Sequence, residues 1–196
     1  NVTLRSVNGK ELAIIDGIGA QESVVYVGNN QTGVEINGFT IKNGYGSAST
    51  QFSNKAIGCG ILIDQYVNAK ILNSNIIDNG VGSTGNFSSS SSVDSYGGGI
   101  AIMSGSFAEI DNCIIKDNLA NDDAGGIWFY NGSGGGGIIN NCYVVNNSNP
   151  NSNAKCIQWS GTLDLTITDN TFITTPHYQG SSCLLYTSDA ADEEDS

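Results

Sequence analysis

Short apolar segments recur along the chain, separated by turns rich in Asn, Gly and Ser. One unit places two apolar residues five positions apart, and it occurs at Ile36–Ile41, Ile71–Ile76, Ile110–Ile115, Ile139–Val144 and Ile167–Phe172. Its first positions are separated by 35, 39, 29 and 28 residues. A spacing in this range indicates a repeat architecture in which each unit buries its apolar face against its neighbours.

A second unit precedes the later copies of the first. It is a short alternating segment bounded by Gly, and it occurs at Gly58–Ile63, Gly98–Ile102, Gly125–Phe129 and Lys155–Trp159, with Val24–Val27 as its earlier counterpart. Neither unit has helical periodicity, and each period has room for three short strands and three turns. The pattern predicts an all-β chain, a right-handed parallel β-helix solenoid of about six coils of three short strands, spanning about residues 2–175.

Strand alternation assigns a direction to each side chain. In the Gly-bounded strands we expect the following to point inward: Ile61, Ile63, Ile100, Ile102, Ile127, Phe129, Ile157 and Trp159. Their neighbours then point outward: Tyr26, Leu62, Asp64, Ala101, Met103, Trp128, Tyr130, Gln158 and Ser160. The equivalent residues Phe39, Ser74, Cys113, Cys142 and Asn170 should stack as an internal ladder. We expect Cys113 and Cys142 to remain thiols, and Cys59 and Cys156 to lie too far apart to bond.

These motifs resemble the right-handed β-helix repeat proteins of the pectate-lyase-like superfamily. The matching segments are Thr3–Gly17, Gly98–Ile102 with Asn112–Asn118, and Gly125–Phe129 with Asn141–Asn147. The resemblance implies a secreted protein and a polysaccharide groove beside the Gly-bounded strands. The groove would be flanked by the variable loops Gly44–Ile57, Gly80–Gly97, Asn118–Gly125 and Asn147–Lys155. Within the longest insertion, Val81–Gly97, the Ser run is either a flexible tip or a groove wall.

The end of the chain reads differently from the repeats. Cys183–Glu193 resembles the translated read-through of a sequencing adaptor, so we expect a β-helix domain over 1–180 and a non-native tail over 181–196. A genuine acidic tail is the alternative. We also expect the chain to be a fragment, with its last coil uncapped. The net charge of −12, with only 7 basic residues, argues against nucleic-acid binding, and no apolar run is long enough for a transmembrane helix.

Outward aromatic and polar side chains are the candidate ligand-binding residues. Flat rings beside carboxylates and amides suit sugars, so we expect Trp128, Tyr130, Asp64, Gln158 and Tyr96 to contact substrate. The alternative is that an aromatic residue of a long loop, Phe87 or Tyr96, simply covers the Trp128–Tyr130 pair.

Acidic loop residues are the candidate catalytic and metal-binding groups. Asp122 and Asp123 could act as the two carboxylates of a glycoside hydrolase, and together with Asp94 they could bind Ca²⁺. For a lyase, Lys116 is the best available base. Polygalacturonase-like signatures are absent, and solvated loop acids and a plain surface lysine are the alternatives.

Two functional hypotheses follow. The first is a secreted or cell-surface β-helix, expected to be monomeric, that binds and could cleave an extracellular polysaccharide as a lyase or glycoside hydrolase. The second is a non-catalytic structural or adhesin segment of a larger surface protein. The first hypothesis requires the candidate acidic and aromatic residues to converge in one open groove.

Overall fold

A computed structural model describes residues 1–28, 30–80, 94–130, 134–149, 154–161, 163–173 and 182–187. In these ranges the chain forms strands and turns and no helix. Three sheets of six strands each run along the molecule, and every pairing between their neighbouring strands is parallel. The successive strands of one coil belong to three different sheets, so the chain is a parallel β-helix of six coils, as predicted.

The strands of the three sheets follow one another in strict rotation. The first sheet contains β1 (Val2–Arg5), β4 (Val34–Asn37), β8 (Asn68–Leu72), β12 (Phe107–Asp111), β15 (Gly136–Asn140) and β18 (Asp164–Thr168). The second contains β2 (Ile14–Asp16), β5 (Thr40–Lys42), β9 (Asn75–Ile77), β13 (Ile114–Lys116), β16 (Tyr143–Val145) and β19 (Thr171–Ile173). The third contains β3 (Val25–Val27), β7 (Ile61–Ile63), β11 (Ile100–Ile102), β14 (Ile127–Tyr130), β17 (Ala154–Ser160) and β20 (Ser182–Thr187).

The strand register confirms the repeat spacing read from the sequence. Across the first sheet the aligned residues are Ile36, Ile71, Ile110, Ile139 and Ile167. These are the first positions of the five repeats, so the unequal intervals between them arise from loops that leave the stacked strands in register. β20 lies within the predicted tail, and its backbone pairs in parallel with β17.

One apolar core fills the inside of the solenoid. The predicted inward residues of the third sheet are buried in it, with Trp159 packed at its edge. Burial of this kind stabilises a protein by about 25 cal/mol per Å² of apolar surface removed from water. Because each coil covers the next, the core is continuous along the axis rather than concentrated at one centre.

A buried asparagine ladder holds one corner of the coils together. Asn118 accepts hydrogen bonds at Oδ1 from the Asn79 backbone N–H and Nδ2, both at 3.0 Å. Its own Nδ2 donates to Ile76 O at 2.8 Å and to Asn147 Oδ1 at 2.9 Å. The glycines before β7, β11 and β14 (Gly60, Gly99 and Gly126) make room for this ladder. A Cβ on Gly99 would lie 3.0 Å from Asn118 Nδ2 and 2.7 Å from a neighbouring carbonyl oxygen.

The predicted ladder of small interior residues is also present. Ser74, Cys113 and Cys142 are buried at equivalent corners, and Asn170 donates from Nδ2 to Ile139 O at 2.8 Å. Both cysteines are thiols, as expected, and burial raises the pKa of Cys113 well above its ordinary value. Cys59 likewise carries a buried thiol, so it forms no bridge that would break the register.

A small fourth layer lies outside the third sheet. It pairs β6 (Ala56–Ile57) with β10 (Ser95–Tyr96) in parallel, and a further bridge joins Tyr96 to Asp123. This layer is built from the loops that precede the third-sheet strands. In the described part of the chain, no helix is long and apolar enough to cross a membrane.

Candidate functional site

The outward face of the third sheet is where the sequence places the candidate binding residues. Successive strands bring Tyr26, Leu62, Ala101, Trp128 and Gln158 into one outward column. All except Tyr26 are buried, and the Trp128 side chain is only 3% exposed. The predicted direction of these side chains is therefore right, but the face is covered.

The cover is a second hydrophobic cluster on the outside of the coil. It contains Ile57, Leu62, Ala101, Met103, Ala124 and Trp128, with Phe52, Tyr96 and Tyr130 packed against it. Ring centroids lie 4.8 Å apart for Tyr96–Trp128, 5.4 Å for Trp128–Tyr130 and 4.9 Å for Phe52–Tyr130. At these separations aromatic pairs attract one another, so the rings form a compact packed unit.

Asp64 fastens residues 47–52, which we call the cover loop, to the sheet. Its carboxylate is 1% exposed and accepts hydrogen bonds from the Thr50 backbone N–H at 3.1 Å and from Thr50 Oγ1 at 2.9 Å. Tyr26 OH donates at 2.8 Å, and the Gln65 N–H at 2.9 Å. With four donors, this carboxylate has its hydrogen-bonding capacity filled. Burial and the bond to Asp64 raise the pKa of Tyr26 to about 12.

Asp122 and Asp123 lie at the outer layer, and each has a defined partner. Asp122 Oδ2 accepts a hydrogen bond from Tyr96 OH at 2.5 Å, and Asp123 Oδ1 accepts one from Gln158 Nε2 at 2.7 Å. Burial raises the pKa of Asp123, the neighbouring charge of Asp122 raises it further, and the Gln158 hydrogen bond opposes the shift. Burial and the Asp122 bond likewise raise the pKa of Tyr96.

Asp94 and Lys116, the remaining candidate groups, are engaged elsewhere. Asp94 forms an ion pair with Lys55, whose Nζ also lies 5.6 Å from the centre of the Tyr96 ring. Lys116 belongs to β13 in the second sheet, where its Nζ lies 3.1 Å from Asp117 Oδ2. A lysine on that sheet and the carboxylates beside the third sheet are on different faces of the solenoid.

The predicted calcium ligands were Asp94, Asp122 and Asp123. Within the ranges that the structure describes, no three Asp, Glu, His or Cys residues come together in a group that could hold a metal ion. The donor set therefore does not fit a cation that prefers six to eight oxygen ligands. The Ser run of the longest insertion, with the predicted cover residue Phe87, lies outside the described residues.

Phe52 and Thr50 are the residues that sequence reasoning missed. Both belong to the variable loop Gly44–Ile57, and the signal available was the single Phe in that loop, an apolar residue with no strand of its own. Of the two covering residues considered from sequence, Tyr96 does contact Trp128. Within the described residues, Trp128 Nε1 has no hydrogen-bond acceptor. A buried indole N–H without a partner is an uncommon arrangement.

The outer face of the first sheet is polar and open. A shallow groove of about 380 Å³ lies over it, bordered by Glu35, Lys70, Phe107 and Glu109 among others. Arg5 Nη2 lies 2.7 Å from Glu35 Oε1, and Lys70 pairs with Glu109. These ion pairs are partly exposed, so each contributes little to stability.

On the described surface, the candidate aromatic rings thus pack against one another, and the candidate carboxylates already accept hydrogen bonds or form ion pairs.

Comparison with known proteins finds no matching family model, no matching curated protein and no matching solved structure.

Proposed function

We propose that this chain is a non-catalytic structural segment of an extracellular or cell-surface protein, a solenoid rod that presents its loops and faces. The observation that carries this proposal is the burial of Trp128, which is 3% exposed beneath Phe52 and Tyr96. A sugar-stacking platform requires an exposed ring, and this ring is part of a hydrophobic cluster. The extracellular location is proposed from the resemblance of the repeat motifs to secreted β-helix proteins of the pectate-lyase-like superfamily.

The state of the carboxylates supports the same proposal. A glycoside hydrolase needs two carboxyl groups flanking the bond to be cleaved, with one of them free to protonate the leaving group. Asp64 is buried and bonded to four donors, while Asp94 is ion-paired. Asp122 and Asp123 are neighbours in the chain, and each is engaged by a different side chain.

The direct test is turnover on acidic and neutral polysaccharides by the intact chain, with and without a calcium chelator. Reducing ends report hydrolysis, and the absorbance of unsaturated products reports elimination. We expect neither above the rate of a matched D122N variant. Chelator-sensitive turnover that D122N abolishes would overturn the structural-rod proposal.

Polysaccharide binding without cleavage is a second candidate, favoured by the unpartnered Nε1 of Trp128. If the cover loop opened, Trp128, Tyr96 and Tyr130 would form an aromatic surface with an indole donor ready for a sugar hydroxyl. The motif resemblance to pectate-lyase-like β-helices supports this candidate. A glycan array should then show stronger binding by D64A, which loses the fastening of the cover loop, than by the unaltered chain. If neither D64A nor the unaltered chain binds a glycan, polysaccharide binding is refuted and only the structural-rod proposal remains.

A further inference from the structure

The outward faces of the three sheets differ in their chemistry. The third sheet is covered by the aromatic cluster around Trp128, and the first sheet carries ion pairs such as Arg5–Glu35. The second sheet instead presents apolar side chains in its middle coils, where Tyr143 is 54% exposed. Scattered exposed apolar residues are normal, but a contiguous group marks a surface that contacts something.

Strand register places these side chains next to one another. Because inward and outward residues alternate, β9, β13 and β16 each present two residues outward. These form two rows along the solenoid, Asn75, Ile114 and Tyr143 in one and Ile77, Lys116 and Val145 in the other, and we call the six residues the flat face. Each of the three strands is paired with a neighbouring strand on both sides, so the flat face belongs to the middle of the solenoid.

The one charged residue of the flat face leaves its centre apolar. Lys116 Nζ lies 3.1 Å from Asp117 Oδ2, at the corner where the strand ends. A lysine whose ammonium is held at an edge lays its methylene groups along the surface beside it. The half-buried side chains of Ile77, Ile114 and Val145 therefore share an apolar surface with an ion pair at its rim.

The flat face is complementary to itself about a two-fold axis that runs along β13. Such an axis sets β13 of one copy against β13 of the other and β9 against the partner's β16, and each row faces the same row. Ile114 then meets its own copy, and Ile77 meets the partner's Val145. An interface in which one patch meets itself is the commonest kind in homodimers.

Polar groups at the facing positions are also matched. Asn75 faces the partner's Tyr143, so an amide meets a phenolic hydroxyl. At the rim, Lys116 lies beside Asp117 of both copies, so two charges of each sign share one corner. Because this matching of apolar, polar and charged positions arises from the chain's own register, a second copy fits the flat face.

We propose that the flat face is the contact surface of a two-fold dimer of this chain, in which two solenoids lie side by side with antiparallel axes. This inference goes beyond the proposed structural role and replaces the expected monomer. Since both copies use the same patch, association closes at two and does not continue into larger oligomers.

The size of the face sets the strength of the contact. The five strands β5, β9, β13, β16 and β19, three residues each, give a surface of about 24 by 10 Å from their usual spacing and rise. Even with the corners doubling this area, the dimer buries about 1,000 Å² in total, which is at the low end for specific complexes. We therefore expect a reversible dimer with a Kd on the order of 10 µM or weaker.

Sedimentation velocity on the full chain, at concentrations below and above that Kd, tests the proposal. We expect a monomer–dimer equilibrium that I114K weakens at least tenfold, because it sets two like charges against each other at the axis. The matched control is I138K, which makes the same substitution at a half-buried outward Ile on the first sheet. A chain that stays monomeric, oligomers larger than the dimer, or equal loss in the two variants would refute the dimer.

A mixing experiment tests the two-fold axis itself. I114K and I114E should each be monomeric alone, yet an equimolar mixture should restore the dimer, since opposite charges then meet at the axis. If the mixture stays monomeric, Ile114 does not meet its own copy and the proposal is wrong. Y143K alters a side chain that is 54% exposed and so leaves the core intact, and it should weaken the dimer as well.

The dimer and the proposed function fail separately. Polysaccharide turnover would refute the structural rod and leave the dimer intact, whereas a chain that stays monomeric would refute the dimer and leave the rod.

Discussion

Replacing Asn118 by Ala should lower the free energy of unfolding by more than the removal of an exposed polar side chain would. The Asn118 side chain is 0% exposed, makes four hydrogen bonds, and joins the coil before it to the coil after it. In N118A the Asn79 backbone N–H loses its acceptor. Asn79 Nδ2 still bonds Ile41 O and Ile77 O, and Asn147 Oδ1 still accepts from the Asn118 backbone N–H.

The size of this loss in the free energy of unfolding depends on which buried groups are left without a hydrogen-bond partner. One fully unsatisfied buried N–H costs about 1–3 kcal/mol, and each bond lost between groups that keep another partner costs about 0.5–1.5 kcal/mol. Since neighbouring terms are not additive, we expect a loss of about 3–5 kcal/mol in the free energy of unfolding. At a urea m-value of about 2 kcal/mol/M, this lowers the unfolding midpoint by about 2 M.

Urea unfolding followed by far-UV circular dichroism measures this shift. The matched control is N68A, which removes an exposed outward Asn side chain from β8. It should change the free energy of unfolding by less than about 0.5 kcal/mol. If N118A proves no more destabilising than N68A, the buried ladder does not hold the coils together and the reasoning fails.

Three further substitutions probe the cover and the coil spacing. D64A should cost about 2–4 kcal/mol, because it removes the shared acceptor of four partly buried hydrogen bonds, and should expose the cover loop to limited proteolysis. D123N should leave stability at pH 7 unchanged or raised: it keeps an acceptor for Gln158, whereas the raised pKa of Asp123 means that its contribution is present at acid pH and is lost as pH rises through that pKa. G126A should cost about 3 kcal/mol or more, since its Cβ would lie 2.2 Å from the Cys156 carbonyl oxygen.

Each of these has a clear contrary result. A cover loop equally resistant to protease in D64A would mean that residues other than Asp64 hold it. For D123N the quantity to compare is the difference in thermal midpoint between the variant and the unaltered chain. A difference less favourable to D123N at pH 7 than at pH 4 would contradict the raised pKa of Asp123. For G126A the control is G134A, where no atom lies within 4 Å and only the positive φ of 82° is strained. Equal thermal shifts in the two would show that coil spacing is not the cause.

The inside of the solenoid could be predicted from sequence because one simple rule controls it. Alternation places every second residue on the axis side, and all coils share the same cross-section, so Ile36 and Ile167 can be aligned despite loops of different length. The thiols of Cys113 and Cys142 follow from the same alignment. No information about distant residues was needed beyond the repeat itself.

For the outer face of the solenoid, the sequence could predict only which side chains point outward, and not which of them are exposed to solvent. Trp128 points outward as expected, but whether an outward residue meets solvent depends on an insertion from another coil. The insertion is held by contacts such as Thr50–Asp64, which follow no periodicity. Phe52 reaches Trp128 because that fastening bends its loop back over the sheet. A candidate site built from outward strand residues therefore needs the loops before it can be judged.

The two ends expose a further limit of periodic reasoning. The alternation at Val2 and Leu4 is the same as at Val34 and Ile36, and it predicts burial equally for both pairs. Leu4 is nevertheless 42% exposed, because a residue in a solenoid is buried only when a coil lies on each side of it. The alternation of apolar residues determines which way a side chain points, whereas the adjacent coils determine whether it is buried.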